Sequence, residues 1–422
     1  MKVRTLNGEK IRRRLDHGTD EQRKTVQSIL ERVKNEGDEV LFELTEKFDG
    51  AKLDTLKVSE KEIEQAYHSL DEDMIEIIRE AAENIRVYHE KQIQQSWMMT
   101  KEDGSVLGQK VTPLDSVGVY VPGGTAEYPS SVLMGILPAK VAGVERIALI
   151  SPPRPDGSMP ASVLVAANEG GVTEIYKVGG AQAIGAFAYG TESIPPVDKI
   201  VGPGNIYVAL AKREVFGLVG IDMIAGPSEI VIYADETADP VLLAADLLSQ
   251  AEHDQLASAV LVTISPKVAK ETSKEVIRQL ECLPRKEIAE ASVISNGVIY
   301  VVTTEDEAMD AINELAPEHL ELVADEPFEL LGKIKHAGAV FIGKNSAEPI
   351  GDYFAGPNHV LPTSGTARFS SPLGIDDFIK KTSVIYYSTD ALYDNGRKIS
   401  KLARLEGLEA HARAIDKRLE DN

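Results

Sequence analysis

The segment Asp198-Lys199-Ile200-Val201-Gly202-Pro203-Gly204-Asn205 passes from a short apolar run through a glycine turn into a helical stretch that ends near Phe216. The same order of strand, glycine turn and helix recurs at Val178-Gly179-Gly180 and at Val121-Pro122-Gly123. Alternating strands and helices build parallel sheets through right-handed crossovers. The pattern therefore predicts an α/β fold with a first sheet at about 115–230.

The alternation restarts after Pro227-Ser228 and predicts a second sheet at about 235–345. Upstream, residues 1 to about 100 have helical spacing of apolar residues, and we expect them to serve as scaffold. The tail from about 374 predicts a short strand at 383–387 and helices at 389–419. Sequence cannot decide whether this tail packs on its own domain or on a partner subunit.

Composition excludes several classes of protein. The 422 residues carry 45 Lys+Arg against 67 Asp+Glu, a net charge of −22, which disfavours nucleic acid and anionic membranes as partners. A single cysteine, Cys282, excludes an internal disulfide. Because the N-terminus lacks the apolar region of a signal peptide and no run is long enough to span a bilayer, we expect a cytoplasmic protein.

One amphipathic helix is predicted to carry metal ligands at its end. Asp239 is a predicted N-cap and Pro240 the first helical residue. Gln250 and His253 stand three residues apart on one helix face, and Asp352 in a downstream loop would complete a mixed nitrogen and oxygen set suited to zinc or manganese. The alternative is a histidine on a solvated face, stabilised by the helix dipole.

Two further stretches suggest site chemistry. Glu318 and His319 follow Pro317 and could divide acid–base work if the backbone turns there; otherwise they are a surface acid and a hydrogen-bonded histidine. The glycine turns could hold phosphates through backbone N–H groups or could simply close tight β-α units. No G-x-G-x-x-G fingerprint and no P-loop occurs.

Seven motifs, in this order and across essentially the whole chain, resemble those of the histidinol dehydrogenase family. They are Tyr120-Val121-Pro122-Gly123-Gly124, Val178-Gly179-Gly180-Ala181-Gln182-Ala183, Gly202-Pro203-Gly204-Asn205, Gly226-Pro227-Ser228-Glu229, Leu248-Ser249-Gln250-Ala251-Glu252-His253, Ala316-Pro317-Glu318-His319-Leu320, and Gly351-Asp352-Tyr353 with Asn358-His359-Val360-Leu361-Pro362-Thr363.

The resemblance implies a zinc-dependent, NAD-linked enzyme that oxidises L-histidinol to L-histidine through L-histidinaldehyde, with one zinc ion per subunit of a homodimer. The fold it implies is a pair of incomplete Rossmann-like α/β/α domains plus small N-terminal and C-terminal helical segments. The boundaries we predict are 1–16 for the N-terminal segment, 17–119 with 230–373 for the domain carrying metal and catalytic residues, 120–229 for the domain with NAD contacts, and 374–422 for a tail packing on the partner subunit.

The resemblance also implies roles for individual residues. The implied acid–base pair is Glu318 and His319, and the implied NAD contacts are Tyr120, Gln182 and Asn205. The implied metal ligands are Gln250, His253, Asp352 and His411. The implied substrate contacts are Ser228, Gln250, His253, His319, Asp352, Glu406 and His411, with His359 a further candidate. Glu406 and His411 would act in the partner's site.

Three other functions stay open at this stage. A zinc hydrolase would use Glu318 as base on a metal-bound water and would need no NAD. A two-domain binding protein would use the glycine turns as a ligand cleft and would show no turnover. An aldehyde dehydrogenase with a thiol nucleophile would depend on Cys282, which stands beside Glu281 rather than in the electropositive setting that such a thiol needs.

Overall fold

The computed structural model describes residues 1–6, 11, 18–123 and 127–420. The chain forms unit 1, Met1–Gln92 with Leu114–Phe378, and unit 2, Ile93–Pro113 with Ile379–Asn422. Most of the predicted segment 1–16 and Gly124 of the first motif lie outside the described residues, and the predicted domain boundaries stay a prediction. Among the described helices, none combines the length and the apolar character needed to cross a membrane.

The chain begins with one edge strand and a set of helices. It forms β1 (Lys2–Thr5), α1 (Asp20–Glu36), α2 (Asp38–Asp49), α3 (Glu60–Ser69) and α4 (Glu72–Glu90), and then contributes β2 (Trp97–Thr100) and β3 (Val106–Pro113) to unit 2. The expectation that the first 100 residues are helical is therefore wrong at both ends. β1 and β2 have four residues each, which is too short for the alternation of a strand to be recognised in the sequence.

The first sheet of unit 1 is parallel, with strand order β6-β5-β4-β7-β8. Its elements are β4 (Ser116–Tyr120), α5 (Pro129–Ala142), β5 (Arg146–Ser151), α6 (Ala161–Glu169), β6 (Ile175–Lys177), α7 (Gly180–Tyr189), β7 (Lys199–Val201), α8 (Ile206–Val215) and β8 (Gly220–Ile221). Alternate strand residues enter two cores, one with α3 to α6 and one with α1, α2, α7 and α8. Helices therefore cover both faces, as parallel sheets require.

The second sheet of unit 1 is also parallel, with order β1-β11-β10-β9-β12-β13. Its elements after β1 are β9 (Glu229–Ala234), α9 (Pro240–Ala251), β10 (Ser258–Thr263), α10 (Pro266–Leu280), α11 (Lys286–Ser295), β11 (Val298–Val301), α12 (Glu305–Leu315), β12 (His319–Val323), α13 (Pro327–Leu331), β13 (Ala339–Ile342) and α14 (Glu348–Tyr353). Two 3₁₀ turns follow at Thr366–Arg368 and Ile375–Phe378.

The two sheets share one connectivity. Apart from the edge strand β1 of the second sheet, the first strand of each (β4 or β9) is followed by two strands on one side and then by two on the other, so the strand order reverses between β4 and β7 and again between β9 and β12. This is the Rossmann order with its sixth strand missing, which confirms the prediction of two incomplete Rossmann-like sheets.

Unit 2 is a small antiparallel sheet with two helices. Its remaining elements are β14 (Ile379–Tyr386), α15 (Thr389–Leu405) and α16 (Glu409–Glu420), and its strand order is β14-β3-β2. The sequence predicted a tail strand at 383–387 and the helices but not the sheet, because the partners of β14 lie more than 250 residues upstream along the chain.

Candidate functional site

The site is built around the backbone of Glu229, the first residue of β9. Glu318 Oε2 accepts a hydrogen bond from the Glu229 N–H at 2.8 Å, and His319 Nδ1 donates to the Glu229 carbonyl at 3.1 Å. Because β9 and β12 are parallel neighbours, their amino ends meet at one edge of the second sheet. A single backbone residue therefore fixes both members of the predicted acid–base pair.

The chain turns sharply just before this pair. Ala316, at the end of α12, has a left-handed backbone with φ of 48°, and Pro317 follows it. The turn brings the two side chains to one side of the chain, with 3.6 Å between Glu318 Oε2 and His319 Nδ1. The condition that sequence reasoning set for a joint acid–base site is met.

His319 presents its second nitrogen to Asp352. With Nδ1–H donated to a carbonyl, the neutral ring would have Nε2 as its acceptor; this atom is buried, lies 3.6 Å from Asp352 Oδ1 and has no hydrogen-bond partner among the described residues. Burial lowers the pKa of His319, but the charges of Glu318 and Asp352 outweigh it and raise the pKa overall. Burial also raises the pKa of Glu318, to about 8.

Gln250, on the last turn of α9, has the clearest signature of a missing ligand. Its side chain is 0% exposed, and within the described part of the chain neither polar atom of its amide has a hydrogen-bond partner. An unpaired buried amide costs about 1–3 kcal/mol, so such groups are normally satisfied by a partner, a water or a metal ion. His253 follows α9 in a turn and keeps an exposed edge; desolvation by its surroundings lowers its pKa, the charge of Asp352 opposes this shift and the charge of His319 adds to it.

The structure adds a ligand candidate that the sequence prediction missed. His319, Glu348 and Asp352 each offer a ligand atom within 4.8 Å of the others, and this set shares only Asp352 with the predicted ligands. Glu348 and Asp352 stand four residues apart on α14, a spacing that could have revealed the pair had the short helix been predicted. His359 and His319 lower the pKa of Asp352 to about 2, although burial opposes them.

Three further acidic residues lie on the same elements as Gln250, His319 and Asp352. Asp246 precedes Gln250 by one turn of α9, Glu321 follows His319 by two residues on β12, and Glu348 begins α14. Glu321 Oε1 accepts a hydrogen bond from the backbone N–H of Glu348 at 2.9 Å, which fixes the start of the helix that carries Asp352. Burial and the charge of Asp246 raise the pKa of Glu321 well above its ordinary value.

His359 is a structural neighbour of Asp352. Its Nδ1 donates to the Asp352 carbonyl at 3.0 Å, and its Nε2 lies 3.2 Å from Ser131 Oγ. Both ring nitrogens are therefore engaged in holding the loop in place, which leaves His359 less suited to contact a substrate. Ser228 precedes Glu229 and is partly buried, and its carbonyl accepts from the N–H of Ser258.

A cavity of about 1040 Å³ opens beside Asp352. Its wall includes Asp222 and Met223, which follow the last strand of the first sheet, and Gly338 and Ala339 at the start of β13. The wall therefore includes residues that follow the carboxyl end of the first sheet and residues of β13 in the second. A molecule bound there would contact both sheets.

The predicted NAD contacts gather at the point where the first sheet reverses its strand order. Tyr120 ends β4 and Asn205 caps α8 just beyond β7, a location where open α/β sheets bind ligands. Tyr120 is buried with its hydroxyl accepting from the Gly180 N–H, and Gln182 is buried beside that turn, whereas Asn205 is exposed. An exposed helix N-terminus at a switch point suits a cofactor phosphate.

The predicted tail residues belong to unit 2. Glu406 is the C-cap of α15 and His411 lies in the first turn of α16, and both side chains are exposed. The other predicted ligands, Gln250, His253 and Asp352, belong to unit 1.

Comparison with known proteins identifies the family. The model of the histidinol dehydrogenase family matches residues 12–419. A histidinol dehydrogenase of Geobacillus kaustophilus is 65% identical over 421 residues, with 100% of this chain and 99% of the relative covered. That of Bacillus subtilis is 62% identical over 421 residues, covering 99% of each chain.

A solved structure gives the same result. The crystal structure of histidinol dehydrogenase from Elizabethkingia anophelis superposes with a TM-score of 0.95 at 38% sequence identity, covering 100% of this chain and 98% of that one. A family model that spans nearly the whole sequence, close relatives and a matching fold all agree. This chain belongs to the histidinol dehydrogenase family and is an oxidoreductase.

Proposed function

We propose that this enzyme oxidises L-histidinol to L-histidine through L-histidinaldehyde, transferring two hydrides to NAD, as the last steps of histidine biosynthesis in the cytoplasm. The observation that carries the proposal is the anchoring of Glu318 and His319 on the two backbone groups of Glu229. An alcohol oxidation and an aldehyde hydration each need one proton acceptor, and the site holds two distinct ones side by side.

His319 is the base of both oxidations. Its Nε2 has no hydrogen-bond partner among the described residues, so the neutral ring can take the hydroxyl proton of the alcohol there while a hydride leaves the same carbon. The donation from Nδ1 to the Glu229 carbonyl holds the ring in this tautomer and stabilises the imidazolium that forms. His319 takes a hydroxyl proton again when the hydrated aldehyde loses the second hydride.

Glu318 is the base of the hydration between the two oxidations. Burial raises its pKa to about 8, which makes its carboxylate a stronger proton acceptor than a solvated one. It takes a proton from a water molecule as the oxygen adds to the aldehyde carbon. The N–H of Glu229 holds Oε2 and leaves Oε1 to face the water.

Two bound groups complete the proposal. Gln250, His253 and Asp352, with His411 of the partner subunit, would hold one zinc ion, and Glu348 is an additional candidate; the unpaired amide of Gln250 and the ionised Asp352 fit a cation. Zinc would supply the charge that orients the amine and imidazole of the substrate, and NAD at the first switch point would accept the hydrides.

We further propose a homodimer in which Glu406 and His411 act in the partner's site, with Glu406 beside the cationic substrate and Ser228 contacting it. Unit 2 exposes a group of large apolar side chains that a partner could cover; they are Trp97, Met98, Met99, Ile385, Tyr386 and Leu405. Mixing inactive His319→Asn and His411→Asn subunits tests this arrangement. Heterodimers should regain one of two sites, whereas a mixture that stays inactive would contradict it.

Reaction stoichiometry tests the main proposal. Purified enzyme with zinc, L-histidinol and NAD should form two reduced cofactors for each L-histidine, measured by absorbance and amino-acid analysis. Glu318→Gln should keep the oxidation of the alcohol and slow the oxidation of the added aldehyde at least 100-fold, in the range that a general base contributes. The exposed Glu290→Gln is the control. Equal loss of both oxidations in Glu318→Gln would reject the division of roles.

A further inference from the structure

A buried ion pair lies behind the glycine turn of the first switch point. Lys212 on α8 and Asp222 just after β8 are in direct contact, with side chains 2% and 1% exposed. Removing two charges from water costs several kcal/mol for each ion, so such a pair persists only where further hydrogen bonds satisfy it. The partners of this pair therefore indicate what it holds in place.

The pair binds both backbone groups of Gly202. Lys212 Nζ donates to the Gly202 carbonyl at 3.0 Å, and the Gly202 N–H donates to Asp222 Oδ2 at 2.8 Å. Asp222 Oδ1 also accepts from the N–H of Met223 at 2.6 Å. The orientation of the Gly202 peptide groups is thus set by the two charged side chains rather than by the neighbouring strands alone.

Gly202 begins the turn that leads to Asn205. The turn leaves β7, lies against the end of β4 at Tyr120 and presents Asn205 at the N-terminus of α8. Asp222 also forms part of the wall of the 1040 Å³ cavity that contains Asp352. The ion pair therefore lies between the turn proposed to bind the cofactor and the cavity beside Asp352.

We propose that Lys212 and Asp222 are positioning residues for NAD. By fixing both backbone groups of Gly202, they hold the Gly202-Pro203-Gly204-Asn205 turn in the conformation that binds the cofactor. This inference rests on the proposed binding of NAD at the first switch point. A pair with a purely structural role would change the stability of the fold and leave the affinity for NAD unchanged. The two roles are therefore separable by measurement.

The experiment uses the full chain loaded with zinc and measures the Kd for NAD by calorimetry, together with KM for NAD and for histidinol. Lys212→Met and Asp222→Asn should each raise the Kd and the KM for NAD at least tenfold, while the KM for histidinol changes less than twofold. Lys212→Arg keeps a donor for the Gly202 carbonyl and should recover most of the affinity. Arg146→Met breaks the ion pair with Glu174 at the amino end of β5, away from this cavity, and is the control.

Removing one partner of a buried pair can unfold a protein, so the double variant Lys212→Met with Asp222→Leu provides the second measurement. It removes both charges together, so that neither is left buried and unpaired, and should fold with weakened NAD binding. Folded variants that bind NAD as tightly as the wild type would overturn the inference and leave the proposed function standing. A wild-type enzyme that binds no NAD would overturn both.

Discussion

Replacing Gly202 by alanine is the sharpest test of the cofactor turn. Gly202 has a φ of +115°, and a Cβ at this position would lie 2.0 Å from the carbonyl oxygen of Tyr120, inside the first sheet. Gly217 offers a matched control, since its φ is +103° and a Cβ there would meet nothing within 4 Å. The two substitutions share the backbone strain and differ in the steric overlap.

The expected magnitudes follow from this difference. Alanine in a sparsely populated region with positive φ costs about 1–3 kcal/mol, which should be the whole effect at Gly217. At Gly202 the overlapping atom belongs to a buried strand and cannot rotate away, so overpacking adds about 1–3 kcal/mol. We therefore expect Gly202→Ala to lower the free energy of unfolding by about 2–6 kcal/mol in total.

Urea unfolding and NAD titration are the two assays. Because a shift of about 1 Å in a positioned group can cost 100-fold in activity, Gly202→Ala should also raise the Kd for NAD at least tenfold, with that of Gly217→Ala unchanged. The reasoning would be refuted by a Gly202→Ala enzyme that matches Gly217→Ala in both unfolding free energy and NAD affinity. In that case the approach of the turn to Tyr120 would not matter for either property.

Three further outcomes are expected. Cys282 is exposed, so Cys282→Ala should keep kcat within twofold; a loss of all activity would favour a thiol mechanism. Burial raises the pKa of Asp49 to about 6, so stability should fall as pH rises from 4 to 6. In urea unfolding Asp49→Asn should gain about 1–2 kcal/mol over wild type at pH 8 after allowance for solvent screening, with no gain at pH 4. Chelation should lower the melting temperature, and zinc at 100 times its Kd should restore about 2.7 kcal/mol in wild type but not in Gln250→Ala.

Local patterns predicted the α/β units well because the strand, turn and helix of each unit lie within about 30 consecutive residues. The structure has the turn at Gly202 and the helix N-cap at Asp239 at the positions predicted from the sequence. The parallel strands are apolar on both faces since helices cover both faces, and such runs are easily distinguished from amphipathic helices. The fold class therefore followed from the sequence.

Long-range pairing could not be predicted in the same way. β1 adds to the edge of the second sheet beside β11, nearly 300 residues away, and unit 2 assembles a sheet from two distant parts of the chain. Nothing in a four-residue strand specifies such a partner. In the site, Glu348 escaped notice because α14 has only six residues, which is too short for a helical period to show.

The proposed cofactor site and the proposed acid–base pair lie at opposite edges of their sheets, one carboxyl and one amino. The short chain connection between the two sheets accounts for this arrangement. The proposed acid–base pair lies at the amino end of β12, against that of β9, whereas open α/β sheets usually bind ligands at carboxyl ends, as the first sheet is proposed to do. Only residues 222–228 separate the end of β8 from the start of β9, a link that spans at most about 25 Å.

A chain leaves a strand at its carboxyl end and enters the next at its amino end, so this short link places the carboxyl edge of one sheet beside the amino edge of the other. Asp222, at the start of this link, and Asp352 both form part of the wall of the 1040 Å³ cavity. On the proposed assignment, the short link is what allows a hydride acceptor held by the first sheet and a base held by the second to meet at one carbon. Lengthening it by a flexible insertion after Met223 should lower kcat and leave each half-site able to bind its own ligand.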